Sequence, residues 1–178
     1  MVKNLVEEEG KAQAEAAGEV QRAIDIFYHF ATKAADLGGS LKGASSKKAH
    51  LYTRHEPVGV AALITPWNYP IAIPAWKLAP ALATGNSVVL KPASQAPGVA
   101  ISIAEALEEA GLPDGVCNVV TGPGSTVAHE FITHEGTDAV SFTGSSKVGE
   151  MVYDQATDSG KRVQTEMGGK NPTVVTSS

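Results

Sequence analysis

The feature that most restricts this chain is a change of rhythm at Pro57. Beyond it, short β-branched runs (Val58 to Ile64, Ser87 to Leu90, Val116 to Val120, Ala139 to Phe142 and Val163 to Thr165) alternate with segments of helical length. Strands joined by connections that long pair in parallel, with the connecting helices packed on the sheet, so the expected fold class is α/β, a parallel sheet with crossover helices. The punctuation agrees. Gly85 closes a helix expected over Pro74 to Ala83, and Gly111, with Pro113 beyond it, closes Val99 to Ala110. Thr173-Val174-Val175 is β-prone and predicts one more short strand.

The first third is different. From Leu5 to Leu37 the chain is rich in Ala and Glu, and Val20, Ile24, Phe27 and Ala31 recur at helical spacing, which predicts one amphipathic helix weakened at its start by Gly10 and Gly18. Gly38-Gly39-Ser40 ends it. Ser40 to Ala49 is small, polar and basic and reads as an exposed arm, with Tyr52 to Glu56 as its strand. The expected organisation is a helical segment over 1–37, an arm over 38–56 and an α/β domain over 57–178. A chain of 178 residues, 43% hydrophobic and 19% charged, suits one globular domain that buries roughly 70% of its unfolded surface.

Charge narrows the partners. A net charge of -5, with no basic run longer than Lys47-Lys48, speaks against nucleic acid and membrane surfaces, both of which need a concentrated basic face. No apolar run approaches the ~20 residues of a membrane span, and Glu7-Glu8-Glu9 stands where a signal peptide is basic and then apolar. The expected location is cytoplasmic and the expected partners are small molecules or other subunits. Cys117 is the only cysteine, which rules out an internal disulfide and a cysteine-rich zinc site; in its short apolar strand it reads as structural. The five histidines are scattered, and no metal is assigned.

Ligands of parallel sheets bind beyond the carboxyl ends of the strands, so the loops there carry the functional signal. Thr65-Pro66-Trp67-Asn68-Tyr69-Pro70 is a turn stiffened by two prolines; Asn68 either donates to an oxygen that gains charge or bonds its own backbone. Lys77 lies in the following helix, where a lysine ordinarily snorkels to the surface. Lys91-Pro92-Ala93-Ser94 puts a lysine where ribose hydroxyls or phosphate can be reached. Thr121-Gly122-Pro123-Gly124-Ser125 lets a ligand approach the backbone but lacks the full glycine fingerprint. Phe142-Thr143-Gly144-Ser145, running to Gly149, opens a helix; it is either an anion site or a plain serine cap. Glu166, before Gly168-Gly169, is a base able to swing or an ordinary exposed glutamate.

The order of these loops is more specific than any one of them. Pro66-Trp67-Asn68-Tyr69-Pro70, Trp76-Lys77-Leu78-Ala79-Pro80, Val89-Leu90-Lys91-Pro92, Phe142-Thr143-Gly144-Ser145 and Glu166-Met167-Gly168-Gly169-Lys170 together closely resemble the NAD(P)-dependent aldehyde dehydrogenase superfamily over nearly the whole chain. The resemblance implies a partial aldehyde dehydrogenase fold with a Rossmann-like sheet. It implies that a cysteine thiolate adds to an aldehyde, that hydride passes to nicotinamide, and that water hydrolyses the thioester. On that reading Asn68 is the oxyanion donor, Glu166 the base for the deacylating water, and Lys77 a lysine that helps proton movement. Thr65, Pro66, Trp67, Lys91, Ser94, Gly122, Phe142, Thr143, Gly144, Ser145 and Gly149 bind cofactor, and the full-length protein forms a homo-oligomer. Ser94 departs from the glutamate of many NAD-preferring members, which favours NADP over NAD. Lys91 to Gln95 and Gln164 to Pro172 look most like semialdehyde dehydrogenases, in particular those oxidising 2,5-dioxopentanoate.

The family nucleophile is expected a few tens of residues beyond Glu166, and Cys117 precedes the motifs it would have to follow. The chain is therefore expected to be a segment comprising most of the cofactor-binding domain, inactive by itself. Two alternatives come with that reading: a non-catalytic nucleotide-binding or assembly module, and a relative acting on acyl-CoA or acyl phosphates. Asn68 and Glu166 speak against the first, and Glu166 against the second.

Overall fold

The computed structural model describes residues 1–176. Its centre is a five-stranded parallel sheet of β3 (Val60–Ile64), β4 (Ser87–Lys91), β5 (Cys117–Val119), β6 (Ala139–Thr143) and β7 (Arg162–Glu166), in the spatial order β5-β4-β3-β6-β7. All five expected strands are present within a residue or two of their expected limits. The expected Pro74 to Ala83 and Val99 to Ala110 helices are α3 (Ala72–Ala83) and α4 (Pro97–Glu109); α5 (His129–Thr133) and α6 (Ser146–Asp158) complete the crossovers. Gly85, at φ 84°, closes α3 while the Asn86 N–H reaches back to the Ala81 carbonyl at 3.0 Å. No other residue takes that left-handed conformation as cheaply.

The chain leaves β3 in one direction along the sheet and returns past it to β6. The crossover rule then puts the helices on opposite faces. One face buries Ala61, Leu63, Val88 and Leu90 under α3 and α4, and the other buries Ala62, Ile64, Val140 and Phe142 under α5 and α6. Alternate residues of a strand point to opposite faces, so the apolar runs of β3 feed both cores.

The expected helix over Leu5 to Leu37 is two helices. α1 (Val2–Glu9) stops at Gly10, whose φ of 79° lets its N–H close on the Val6 carbonyl, and α2 (Gln13–Ala34) starts afresh. Gly18 lies inside α2 and does not interrupt it. The two helices form a further layer on α3 and α4, with Leu5, Ala16, Ala23 and Ile26 in the same core. Their glutamates cap the helices beneath: Glu8 accepts from the Gly98 and Val99 N–H groups, both at 2.9 Å, and Glu19 accepts from Ile71 and Ala72 at 2.8 and 3.1 Å. Neither α3 nor α4 has a side-chain cap of its own, so a carboxylate satisfies amides that would otherwise be left bare at a positive helix end.

The arm is exposed, and its ribbon is shorter than expected: β1 (Leu41–Lys42) pairs antiparallel with β2 (Leu51–Tyr52), and of the strand expected over Tyr52 to Glu56 only Tyr52 lies in a strand. The strand expected at Thr173-Val174-Val175 is absent. Val174 and Val175 are 84% and 89% exposed, and β propensity without a partner strand or a covering layer forms nothing.

Candidate functional site

In a sheet of this order the connections diverge between β3 and β6, and the crevice beyond their carboxyl ends is the expected ligand site. The loop after β3 starts at Thr65, whose N–H bonds the Lys91 carbonyl at 3.1 Å and whose buried Oγ1 has no hydrogen-bond partner among the described residues. Pro66 is half-buried and Trp67 is 55% exposed. Asn68 does not serve its own turn: its backbone carbonyl accepts from Lys11 Nζ at 2.9 Å, while its exposed carboxamide donates to no acceptor among the described residues.

Beyond β6, Ser145 caps α6, its Oγ accepting from the Val148 N–H at 3.4 Å. The Ser146 and Lys147 N–H groups have no partner among the described residues, so the start of this thirteen-residue helix keeps donors for an anion. The glycines around it have internal reasons. A Cβ on Gly144 would stand 2.5 Å from the Phe142 ring, one on Gly149 2.5 Å from the Met167 sulfur, and one on Gly122, at φ 146°, 2.7 Å from Val127. Close packing of loop on side chain accounts for all three.

Lys91 and Ser94 follow β4. Lys91 is buried and donates to the Pro92 carbonyl at 2.9 Å; burial lowers its pKa. Ser94 Oγ lies 3.4 Å from the Gly122 carbonyl, so the β4 and β5 loops meet.

The least expected environment is that of Lys77. It does not snorkel: only 8% of it is exposed, and it projects from α3 onto the β6–β7 end of the sheet. Its Nζ donates to Ser141 Oγ at 2.7 Å, Ser141 donates to Gln164 Oε1 at 2.9 Å, and Gln164 Nε2 donates to Glu166 Oε1 at 3.1 Å. Burial pulls the Lys77 pKa down to about 8, against the opposing pull of the Glu166 charge. Ile73, Trp76, Lys77, Thr143, Gln164 and Glu166 line one open cavity of about 320 Å³. Asn68 is not among its lining residues, although its loop leads into the helix that carries Lys77.

Ser141, Gln164, Lys11 and Glu19 were not singled out by sequence reasoning. A signal existed for Ser141, a polar residue between Val140 and Phe142 in a mostly apolar strand; Gln164 stands in a strand that is mostly polar and gave none. None existed for the others, which look like ordinary helix charges. Cys117 lies half-buried in β5 with its thiol pKa raised by burial, an inert setting. Among the described residues, no three His, Cys, Asp or Glu side chains cluster as a metal site would require, and no helix is long and apolar enough to cross a membrane.

Comparison with known proteins bears on this arrangement. The chain is 79% identical over 174 residues to the α-ketoglutarate semialdehyde dehydrogenase of Haloferax volcanii, a match covering 98% of this chain and 36% of that protein. It thus spans about a third of the length of this relative. An E. coli NADP-dependent enzyme superposes with a TM-score of 0.92 at 39% identity, over 94% of this chain and 35% of that one. Betaine aldehyde dehydrogenase from Staphylococcus aureus, in complex with NAD+, superposes at 0.93 with 36% identity, over 96% of this chain and 34% of that one. The aldehyde dehydrogenase family profile matches residues 1–178. With the strand order, the loops and the match over its full length all in agreement, this chain belongs to the aldehyde dehydrogenase family.

Proposed function

We propose that this chain forms the cofactor-binding part of a dehydrogenase that oxidises a semialdehyde to a carboxylate with NAD(P)+, and that Asn68, Glu166 and Lys77 act in the reaction. The observation that carries the reading is the hydrogen-bond chain from buried Lys77 to Glu166, in one cavity at the carboxyl end of the sheet. The name of the Haloferax volcanii relative supports the semialdehyde. A nucleotide-binding module would need the open amides of α6, but no buried lysine linked to a carboxylate.

The residues suit a dinucleotide. The unpartnered Thr65 hydroxyl and the Ser146 and Lys147 amides offer donors to a pyrophosphate, and Lys91 and Ser94 offer a cation and a hydroxyl to a ribose. When bound, such a cofactor supplies the hydride acceptor. Asn68 donates an N–H to the aldehyde oxygen as it gains charge, a carboxamide well suited to this because no acceptor among the described residues competes for it. Glu166 takes the proton of the water that releases the acid. Lys77, with a pKa of about 8, becomes an uncharged amine as pH rises through that value, and in that form it can take up the proton that Glu166 gives up. Cys117 is not the nucleophile: it lies in β5 and its thiol pKa is raised. With no carboxylate at position 94 to repel a 2'-phosphate, NADP is favoured over NAD.

The test is oxidation of α-ketoglutarate semialdehyde by the intact dehydrogenase containing this segment, with either cofactor, before and after Asn68→Ala. The variant should lose about 10²–10³-fold in kcat, the usual effect of removing one oxyanion donor. Failure to oxidise any semialdehyde, or a kcat unchanged by the substitution, would overturn the reading.

A further inference from the structure

Lys11 and Glu19 form a buried charge network that the reaction as described leaves unused. Glu19 is 4% exposed and the Lys11 side chain 9%. Lys11 Nζ lies 2.6 Å from Glu19 Oε2, 3.2 Å from Glu9 Oε2 and 4.2 Å from the centroid of the Tyr69 ring, and it donates to the Asn68 carbonyl at 2.9 Å. The other oxygen of Glu19 accepts from the Ile71 and Ala72 N–H groups. Glu8 caps α4 in the same way but has no lysine partner among the described residues, so capping alone does not call for Lys11. Burying an ion pair stabilises little compared with apolar packing, whereas its geometry is strict.

We propose that Lys11 and Glu19 are positioning residues that hold the Asn68–Ala72 backbone from both ends, so that the Asn68 carboxamide is preset for the oxyanion. The inference rests on the oxyanion role assigned to Asn68. Pro66 and Pro70 restrict φ on either side of the loop, Glu19 anchors its exit, and Lys11 fixes the carbonyl of Asn68 itself while covering the neighbouring ring. The Lys11 pKa agrees: burial lowers it, but the bonds and charges of Glu19 and Glu9 outweigh that and hold it above the ordinary lysine value. A displacement of the donor by even an ångström is enough to lose much of its effect on a transition state.

The test compares Lys11→Met/Glu19→Gln, Asn68→Ala and the triple variant in the intact dehydrogenase. The double variant removes the charges together while Gln keeps an acceptor for the two amides. It is expected to lower kcat about tenfold, with the KM for aldehyde and for cofactor unchanged within about twofold and amide exchange faster in residues 67–72 alone. The triple variant should be no slower than Asn68→Ala, because a positioning effect has nothing left to act through. Lys11→Gln, which leaves the Glu19 caps in place, is the second variant should the double one fail to fold; it should lose less in kcat and nothing in the Asn68→Ala background. If Asn68→Ala is slow but the Lys11 variants match the parent, or if their losses multiply with it, the positioning role is wrong. An Asn68→Ala variant as fast as the parent instead removes the oxyanion reading beneath it.

Discussion

Asn68, in the loop after β3, and Glu166, the last residue of β7 before a glycine-rich loop, have different parts in the proposed chemistry, and the two loops are built in opposite ways. The first leaves a fully flanked central strand, passes between two prolines, and is held by Lys11 and Glu19. The second follows Glu166, whose side chain is tethered by one bond to Gln164, and continues into Gly168-Gly169, a pair with no side chain to restrict the backbone. The contrast matches the tasks. A donor that stabilises developing charge works by already being in place, whereas a base that must admit cofactor and then water needs room to move.

The strongest way to break the contrast is to remove the mobile group. In the intact dehydrogenase Glu166→Gln should lower kcat about 10²–10⁴-fold, with rapid reduction of about one cofactor per site before the slow phase, since only deacylation is blocked. A loss of that first turnover as well would show that Glu166 acts earlier than proposed.

The cavity lined by Lys77 and Glu166 offers the next test. Because the folded pKa of Lys77 is about 8 and its ordinary value is 10.5, the unfolded chain binds more protons between those values, and stability should rise as pH climbs through that window. Lys77→Met should remove this slope and stabilise the fold at neutral pH by an amount of order 3 kcal/mol or less. It should also abolish the limb of the kcat profile that rises with pH through about 8. Urea unfolding at several pH values reads the first effect, and a slope that survives the substitution would assign it to another group.

Cofactor choice is a smaller effect. Ser94→Glu should shift the ratio of kcat/KM towards NAD by about tenfold, the size of one modest charge contact, and an unchanged ratio would remove position 94 from recognition. The smallest effects compare the loops directly. Gly168→Ala should raise stability by about 0.4–1 kcal/mol by restricting the unfolded chain, and Pro66→Ala should lower it by a similar amount. Both should slow turnover a few-fold, one by stiffening what must move and the other by loosening what must not. Turnover that tracks stability in both variants would erase the distinction between the loops.

Much of this was legible residue by residue. The β-branched runs marked every strand of the sheet, Gly85 and Gly111 marked the ends of α3 and α4, and the loop motifs singled out Asn68, Lys77 and Glu166. The failures are as instructive. Thr173-Val174-Val175 has the composition of a strand but pairs with none among the described residues, and the helix expected over Leu5 to Leu37 breaks at Gly10, whose left-handed backbone turns the chain ahead of Lys11. Lys77 is buried although an isolated lysine in a helix is a surface residue by default.

What depends on a few neighbouring residues can be read along the chain: strand and helix propensity, the glycine ends of helices, the prolines of the β3 loop and the order of the motifs. Which charges are buried, and what they touch, is set by the packing of the layers. Lys11 meets Asn68 across fifty-seven positions, Lys77 meets Ser141 across sixty-four, and Glu19 meets the start of α3 across fifty-two. Propensity acts through local backbone sterics and leaves its mark on each short stretch of sequence, whereas desolvation and charge pairing act through space and exist only once the layers have closed.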